Sequence, residues 1–247
     1  EDTLLSRAAI VPGLGAAAKT VTVTPGNSAR GLPSVHGALV VFEETTGRVE
    51  AAIDSALVTK WKTAGDSILG TRLLARADAR RLLILGAGAV AESLVEAYRA
   101  AFPGIETAIW NRTPDRAAAL AARVGAEVAR DLPAAVAAAD VVATATMSAT
   151  PVLRGDWLRP GQHLDLIGAY RADMREADDA CLRRASVFVD SRETTLGHIG
   201  ELMDPIARGV IAERDVRGDL YDLVAGRAGR PGAEEITLFK NGGGAHF

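Results

Sequence analysis

Arg81-Leu82-Leu83-Ile84-Leu85 runs directly into Gly86-Ala87-Gly88-Ala89-Val90-Ala91, a short apolar strand followed by a G-x-G-x-x-A turn that opens a helix. An apolar run without alternation is the pattern of a strand covered on both faces, as in a parallel sheet between helices. In such a turn the first glycine allows the tight bend and the second lets the backbone approach a pyrophosphate. The small third residue lets helix and strand pack closely, and the amino end of the helix offers N–H groups to the phosphates. An ordinary strand-to-helix turn can carry the same string, so its surroundings give it meaning.

Those surroundings repeat the strand-helix rhythm. Residues 107–110, 140–144, 163–169 and 186–191 read as further strands, with Ala-rich helical stretches such as 117–122 between them. The expected fold class is α/β, a Rossmann-type doubly wound parallel sheet. Thr113 suits an N-cap, Pro114 the first helical position and Gly125 the stop of the helix after the second strand. That strand ends at Trp110, and Asn111-Arg112-Thr113 follow at the place where a dinucleotide fold chooses its adenosine ribose. An acidic residue there accepts hydrogen bonds from the ribose of NAD, whereas arginine with amide and hydroxyl donors suits a 2′-phosphate. NADP(H) is therefore the expected cofactor, with NAD(H) the alternative. Thr144-Ala145-Thr146 close a later strand at its carboxyl end, where ligands of open α/β sheets sit, within reach of a nicotinamide ribose.

Upstream the pattern changes. Residues 19–24 alternate apolar and polar side chains, and 37–53 read as two antiparallel strands joined near Thr46-Gly47. Residues 56–76 have helical spacing, with Leu57, Trp61, Ile68, Leu69, Leu73 and Leu74 on one broad face, and are expected to bridge two domains.

Composition narrows the function classes. The chain has 247 residues, 48% of them hydrophobic, enough for a sizeable core. Twenty-eight basic against 31 acidic residues leave a formal charge of -3, without the basic footprint of a nucleic-acid or anionic-membrane binder. The lone Cys181 has no partner for an internal disulfide, and no Cys/His spacing suits zinc, so no metal site is expected. With no long apolar run and no secretory leader, the expected setting is cytoplasmic. The sequence opens at Glu1 rather than methionine, which suggests a chain shortened at that end.

Together several segments resemble the ornithine cyclodeaminase and mu-crystallin family. They are Gly31-Leu32-Pro33-Ser34, Thr59-Lys60-Trp61-Lys62-Thr63-Ala64, the Gly86 turn, Trp110-Asn111-Arg112-Thr113 and Thr144-Ala145-Thr146. Gly168-Ala169-Tyr170 through Met174-Arg175-Glu176, then Phe188-Val189-Asp190-Ser191 and Phe239-Lys240, complete the series in the family order. The resemblance implies a nicotinamide-dependent enzyme of amino-acid metabolism. Its Rossmann domain would span 61–224, inserted in a second α+β domain for substrate binding and homodimerisation built from 1–60 and 225–247. Family members usually carry a longer amino-terminal segment, with a carboxylate-binding arginine, and a further carboxyl-terminal helix; both are expected to be missing here.

The resemblance also assigns residues. Lys19 matches the lysine that contacts the carboxylate of an amino or imino acid, Ser34 lies where Thr or Ser stands near the substrate, and Lys62 replaces the usual arginine. Lysine offers a point charge where arginine offers a two-pronged fork, so substrate orientation is expected to differ. With only four lysines among 28 basic residues, Lys60 and Lys62 around Trp61 stand out, and helix geometry lets only one of them face the site. Family position selects Lys62.

True cyclodeaminases place an acidic residue shortly after a Gly-Gly pair, and here Tyr170 stands in its place, with Asp173 able to substitute only if the loop shifts. This leaves hydride transfer to a C=N bond. The expected function is an NAD(P)H-dependent reductase of a cyclic imino acid of the pyrroline-2-carboxylate or piperideine-2-carboxylate type, with Lys19 and Lys62 as its catalytic pair. Lys19, Tyr170, His246 or water could supply the proton. An alanine-like amino-acid dehydrogenase, an ornithine cyclodeaminase and a non-catalytic NADPH- or small-molecule-binding protein remain as alternatives.

Overall fold

In a computed structural model of the chain, residues 2–242 are described, which leaves His246 outside them. Two compact units divide at Lys62/Thr63. The first holds four antiparallel strands in sequential order, β1 (Thr3–Val11), β2 (Gly15–Val23), β3 (Val35–Phe42) and β4 (Val49–Asp54), and the start of helix α1 (Ser55–Leu74). Lys19 sits in β2 opposite Arg7 of β1 and Leu39 of β3. This sheet is thinly covered, since Val21 is buried while Leu4, Ile10, Leu14 and Val49 are exposed.

The second unit is an eight-stranded sheet with every pairing parallel. Its elements in chain order begin with β5 (Arg81–Leu85), α2 (Ala89–Ala101), β6 (Glu106–Trp110), α3 (Pro114–Val124), β7 (Glu127–Val128), α4 (Leu132–Ala138) and β8 (Val141–Thr144). They continue with β9 (His163–Leu166), α5 (Asp179–Arg184), β10 (Ala185–Val189), α6 (Arg192–Thr195), α7 (Gly200–Ala207), β11 (Val216–Gly218), α8 (Leu220–Val224) and β12 (Ile236–Lys240). Across the sheet the order is β11-β10-β12-β9-β8-β5-β6-β7.

The apolar run of β5 serves two cores at once. Leu82 and Ile84 pack with Leu94, Val95 and Tyr98 of α2 and Leu120 of α3, while Leu83 and Leu85 pack with Val136 of α4 and Leu182 of α5. Each of these leucines contributes roughly 1.5–3 kcal/mol by leaving water. Helices thus cover both faces, as the doubly wound reading requires, and β5 begins and ends where the sequence places it.

One expectation is overturned. Residues 225–247 were expected to belong to the substrate domain, but the strand of that segment, β12, lies inside the parallel sheet between β10 and β9. Every residue of β12 is buried. Leu238 joins one core and Phe239 packs with Leu74 and Phe188 in another, burial that an edge segment outside the sheet would not have. Thr237 and Lys240 break the apolar run and hide the strand from a hydropathy reading.

On the face covered by α1 and α2, β9 presents Asp165 instead of an apolar side chain. Ser67 Oγ and Tyr98 OH donate to its two oxygens, each at 3.0 Å, and Thr71 Oγ1 lies 2.7 Å from the tyrosine oxygen. Burial pushes the Asp165 carboxyl up to about 6, against the opposing effect of the two hydroxyl bonds. Its folded-state value therefore exceeds the unfolded one, so the native state holds a proton that the unfolded chain has released. The contribution of Asp165 to stability falls as pH rises from about 4 to about 6. Both hydroxyls can turn to accept from an amide. Asp165→Asn is thus expected to keep the fold and to lose this slope, with the stability difference between wild type and variant changing by about 1–3 kcal/mol across that window in urea titrations. A difference that stays constant with pH would show that Asp165 ionises normally.

Candidate functional site

The second unit carries a dinucleotide cradle at the carboxyl end of β5. Gly86 adopts φ +123° and donates its N–H to Trp110 O at 2.8 Å, which binds the turn to the end of β6. A Cβ on Gly86 would lie 2.5 Å from Ala145 O, so the turn is pressed against the loop after β8 and only glycine fits. Beyond it Ala87 is half-buried, while Gly88 and Ala89 are exposed. Gly88 faces open space and caps α2 without a side-chain bond, so the first amides of the helix remain available to an anion. Ala91 is fully buried, the close helix-strand contact that the third small residue of the motif provides. These residues fit a pyrophosphate.

At the end of β6 the three residues chosen for the adenosine ribose lie together. Asn111 Nδ2 donates to Thr113 O at 3.0 Å, and this bond shapes the loop. Arg112 is exposed with no side-chain partner among the described residues. Thr113 occupies the N-cap position of α3 but its hydroxyl makes no cap bond, which leaves it open to a ligand.

Thr144 and Thr146 turn out differently. Thr144 Oγ1 donates to Glu176 Oε2, and Thr146 Oγ1 and its backbone N–H both donate to Glu176 Oε1, each at 2.7 Å. Their hydroxyl protons are committed to one buried carboxylate, which the sequence reading quoted only as part of a family string. The segment carrying it is held in turn by Glu201 of α7, which accepts from Glu176 N at 2.7 Å and Ala177 N at 3.0 Å. Burial, with the charge of Glu176 beside it, pushes the Glu201 carboxyl up to about 7.

Tyr170 packs with Ala169, Met174 and Ile199 beneath the guanidinium of Arg171. Asp173 is exposed and engaged in a two-pronged ion pair with Arg171, at 2.9 and 2.8 Å. Its carboxylate is thus engaged by its own neighbour in the chain.

In the first unit, Lys19 and Lys62 come together. Lys19 Nζ donates to Thr59 Oγ1 of α1 at 3.1 Å. Burial first, and then the charge of Lys62, lower the proton affinity of Lys19. Two half-buried cations within electrostatic reach of each other suit an anionic ligand. Lys60 takes another course, its ammonium lying 4.8 Å from the ring centre of the exposed Trp61. Ser34 does not join the lysines. Its carbonyl accepts from Thr24 N at the β2–β3 connection, and it precedes Val35, which pairs with Val23. That is five residues along the ladder from the Lys19–Leu39 pair, roughly 17 Å at 3.4 Å per residue.

Comparison with known proteins places this arrangement. The model of the Ornithine cyclodeaminase/mu-crystallin family matches residues 11–245. The chain is 59% identical over 252 residues to a Delta(1)-pyrroline-2-carboxylate reductase of Paracoccus denitrificans, covering 99% of this chain and 80% of that protein. Among solved structures, that of Thermococcus litoralis Delta(1)-pyrroline-2-carboxylate reductase in complex with NADH and L-proline is 28% identical with a TM-score of 0.86, covering 97% of this chain and 81% of that one. An archaeal alanine dehydrogenase dimer with bound NAD is 26% identical with a TM-score of 0.87, covering 99% and 81%. With the Gly86 turn, the β6 loop and the Lys19–Lys62 pair all inside the matched span, the chain belongs to the ornithine cyclodeaminase/mu-crystallin family.

Proposed function

We propose that this protein is an NAD(P)H-dependent oxidoreductase that reduces a cyclic imino acid of the pyrroline-2-carboxylate or piperideine-2-carboxylate type. The observation that carries the reading is the Lys19–Lys62 pair, two adjacent half-buried cations suited to a carboxylate, in a chain 59% identical to a pyrroline-2-carboxylate reductase. When bound, NAD(P)H supplies the hydride for the C=N bond. Lys19 and Lys62 neutralise the substrate carboxylate, and charge-assisted contacts of this kind contribute roughly 1.5–3 kcal/mol each. Burial and the charge of Lys62 lower the proton affinity of Lys19, and we assign Lys19 as the group that passes a proton to the ring nitrogen. Tyr170, which stands where the resemblance would put an acid for a diamino acid's second amine, packs in an apolar cluster, and Asp173 nearby is paired with Arg171.

The exposed Arg112, with the Thr113 hydroxyl beside it, favours NADPH over NADH. The protein acts as a homodimer in the cytoplasm. The dimer is supported by the exposed apolar side chains Leu4, Ile10, Leu14 and Val49 of the thinly covered sheet and by the dimeric alanine dehydrogenase of similar fold. No helix among the described residues is long and apolar enough to cross a membrane.

A substrate panel tests the reaction. With NADPH, the purified protein is expected to reduce pyrroline-2-carboxylate and piperideine-2-carboxylate much faster than it aminates pyruvate with ammonia, and to leave ornithine unchanged. Turnover confined to pyruvate would identify an amino-acid dehydrogenase instead, and tight NADPH binding without any turnover a cofactor-binding protein.

Two substitutions test the roles. Lys62→Ala is expected to raise KM for the imino acid by roughly 10- to 100-fold, the loss of one charge-assisted contact, with the Kd for NADPH within about twofold of wild type. Arg112→Ala should weaken NADPH about tenfold or more and leave NADH nearly unchanged, the loss of one charged phosphate contact. Equal losses for both cofactors would place Arg112 away from the 2′-phosphate.

A further inference from the structure

Glu176 is buried, lies 32 and 30 residues from the Thr144 and Thr146 it holds, and is outside the roles assigned above. Its Oε1 accepts from Thr146 N and Thr146 Oγ1, and its Oε2 from Thr144 Oγ1 and from the backbone N–H groups of Gly168 at 2.6 Å and Ala169 at 3.2 Å. One carboxylate therefore ties the loop after β8 to the loop after β9. The tie is tight: a Cβ on Gly168 would lie 2.0 Å from Thr146 O and 2.4 Å from Glu176 Oε1. The same β8 loop is the one against which Gly86 is pressed.

Sheet order says what these loops are for. The adenosine residues Asn111, Arg112 and Thr113 follow β6, and the pyrophosphate turn follows β5. The strands on the other side of β5 are β8 and then β9, so the nicotinamide half of a dinucleotide extends over the two loops that Glu176 joins. We propose that Glu176 is a positioning residue for the nicotinamide half of the cofactor, fixing the β8 and β9 loops as one rigid floor. The inference rests on the dinucleotide reading of the preceding subsection.

The chemistry of the site demands a carboxylate. Hydroxyls can reverse their bonds, but each oxygen of Glu176 also faces a backbone N–H, that of Thr146 on one side and those of Gly168 and Ala169 on the other. A glutamine in either flip sets its amide donor against a donor that cannot turn. The isosteric change therefore loosens the floor without removing volume.

The test separates the two halves of the cofactor. For wild type and Glu176→Gln, titration calorimetry measures the Kd of NADPH and of 2′-phospho-ADP-ribose, the same molecule without its nicotinamide. The expected result is a loss of about tenfold or more for NADPH, against a change within about twofold for the truncated ligand. A general weakening of the fold would move both alike, so equal losses, or no loss for NADPH, overturn the proposal. Failure of wild type to bind either ligand would instead overturn the dinucleotide reading. Should Glu176→Gln not fold, Thr146→Val removes one donor to Oε1 and keeps the backbone bond. The same split at a few-fold size is then expected, and an equal change for both ligands overturns the proposal.

Discussion

A buried ammonium organises the carboxyl edge of the parallel sheet. Lys240 closes β12 with no exposure to solvent and donates to Leu166 O at the end of β9, at 2.9 Å. Burial lowers its proton affinity, while Glu176, Glu201, Asp190 and Asp165 around it act in the opposite direction. Each of those carboxylates restrains a different piece of chain. Glu176 holds the β8 and β9 loops, Glu201 the segment behind them, Asp165 the hydroxyls of α1 and α2, and Asp190 the turn into α6 through Thr195 Oγ1 at 2.5 Å. Leaving one of these buried hydrogen-bonded groups without its partner costs roughly 1–3 kcal/mol. The loops at this edge are therefore preorganised by hydrogen bonds to buried carboxylates as well as by packing.

The parts of this design that were legible in sequence are those whose physics is local. β5 could be read because both its faces are apolar, and α3 because Thr113, Pro114 and Gly125 bound it. The Gly86 turn was legible because its three small residues meet constraints set within the turn and the adjoining strand. β12 was not, because Lys240 looks like a surface residue until the carboxylates from β9, the end of β10, α7 and the Glu176 segment are brought around it. β1 escaped as well. Its residues are mostly exposed, and its pairing with β2 depends on the hairpin at 11–15 rather than on a buried face.

Site residues divide along the same line. Arg112 and Thr113 could be chosen from their place after a strand, whereas Lys19 and Lys62 stand 43 positions apart (62 − 19) and were singled out by resemblance to a family. Ser34, chosen by the same route, lies five residues along the ladder from the Lys19–Leu39 pair. Glu176 lies 32 residues from Thr144 and 30 from Thr146, a separation over which no periodicity in the sequence points to a bond. Composition gives no signal either, because Glu176 stands in a charged stretch with Asp173, Arg175, Asp178 and Asp179, and nothing in that string marks it as the acid that turns inward.

The same reasoning narrows the chemistry. A carboxylate is useful to a second substrate amine only if it is not already neutralised, and Asp173 is neutralised by Arg171 two residues away. Tyr170 brings an aromatic ring where the cyclodeaminases carry an acid, and that ring is taken up by Ala169, Met174 and Ile199. On the proposed reading, Lys19 and Lys62 serve one carboxylate and the Gly86 turn one cofactor. A substrate with a single carboxylate and a ring imine asks for nothing more. An open-chain imine must first form from ammonia and a keto acid, whereas a ring imine already carries its nitrogen, and this is why the proposed reading favours the cyclic substrate.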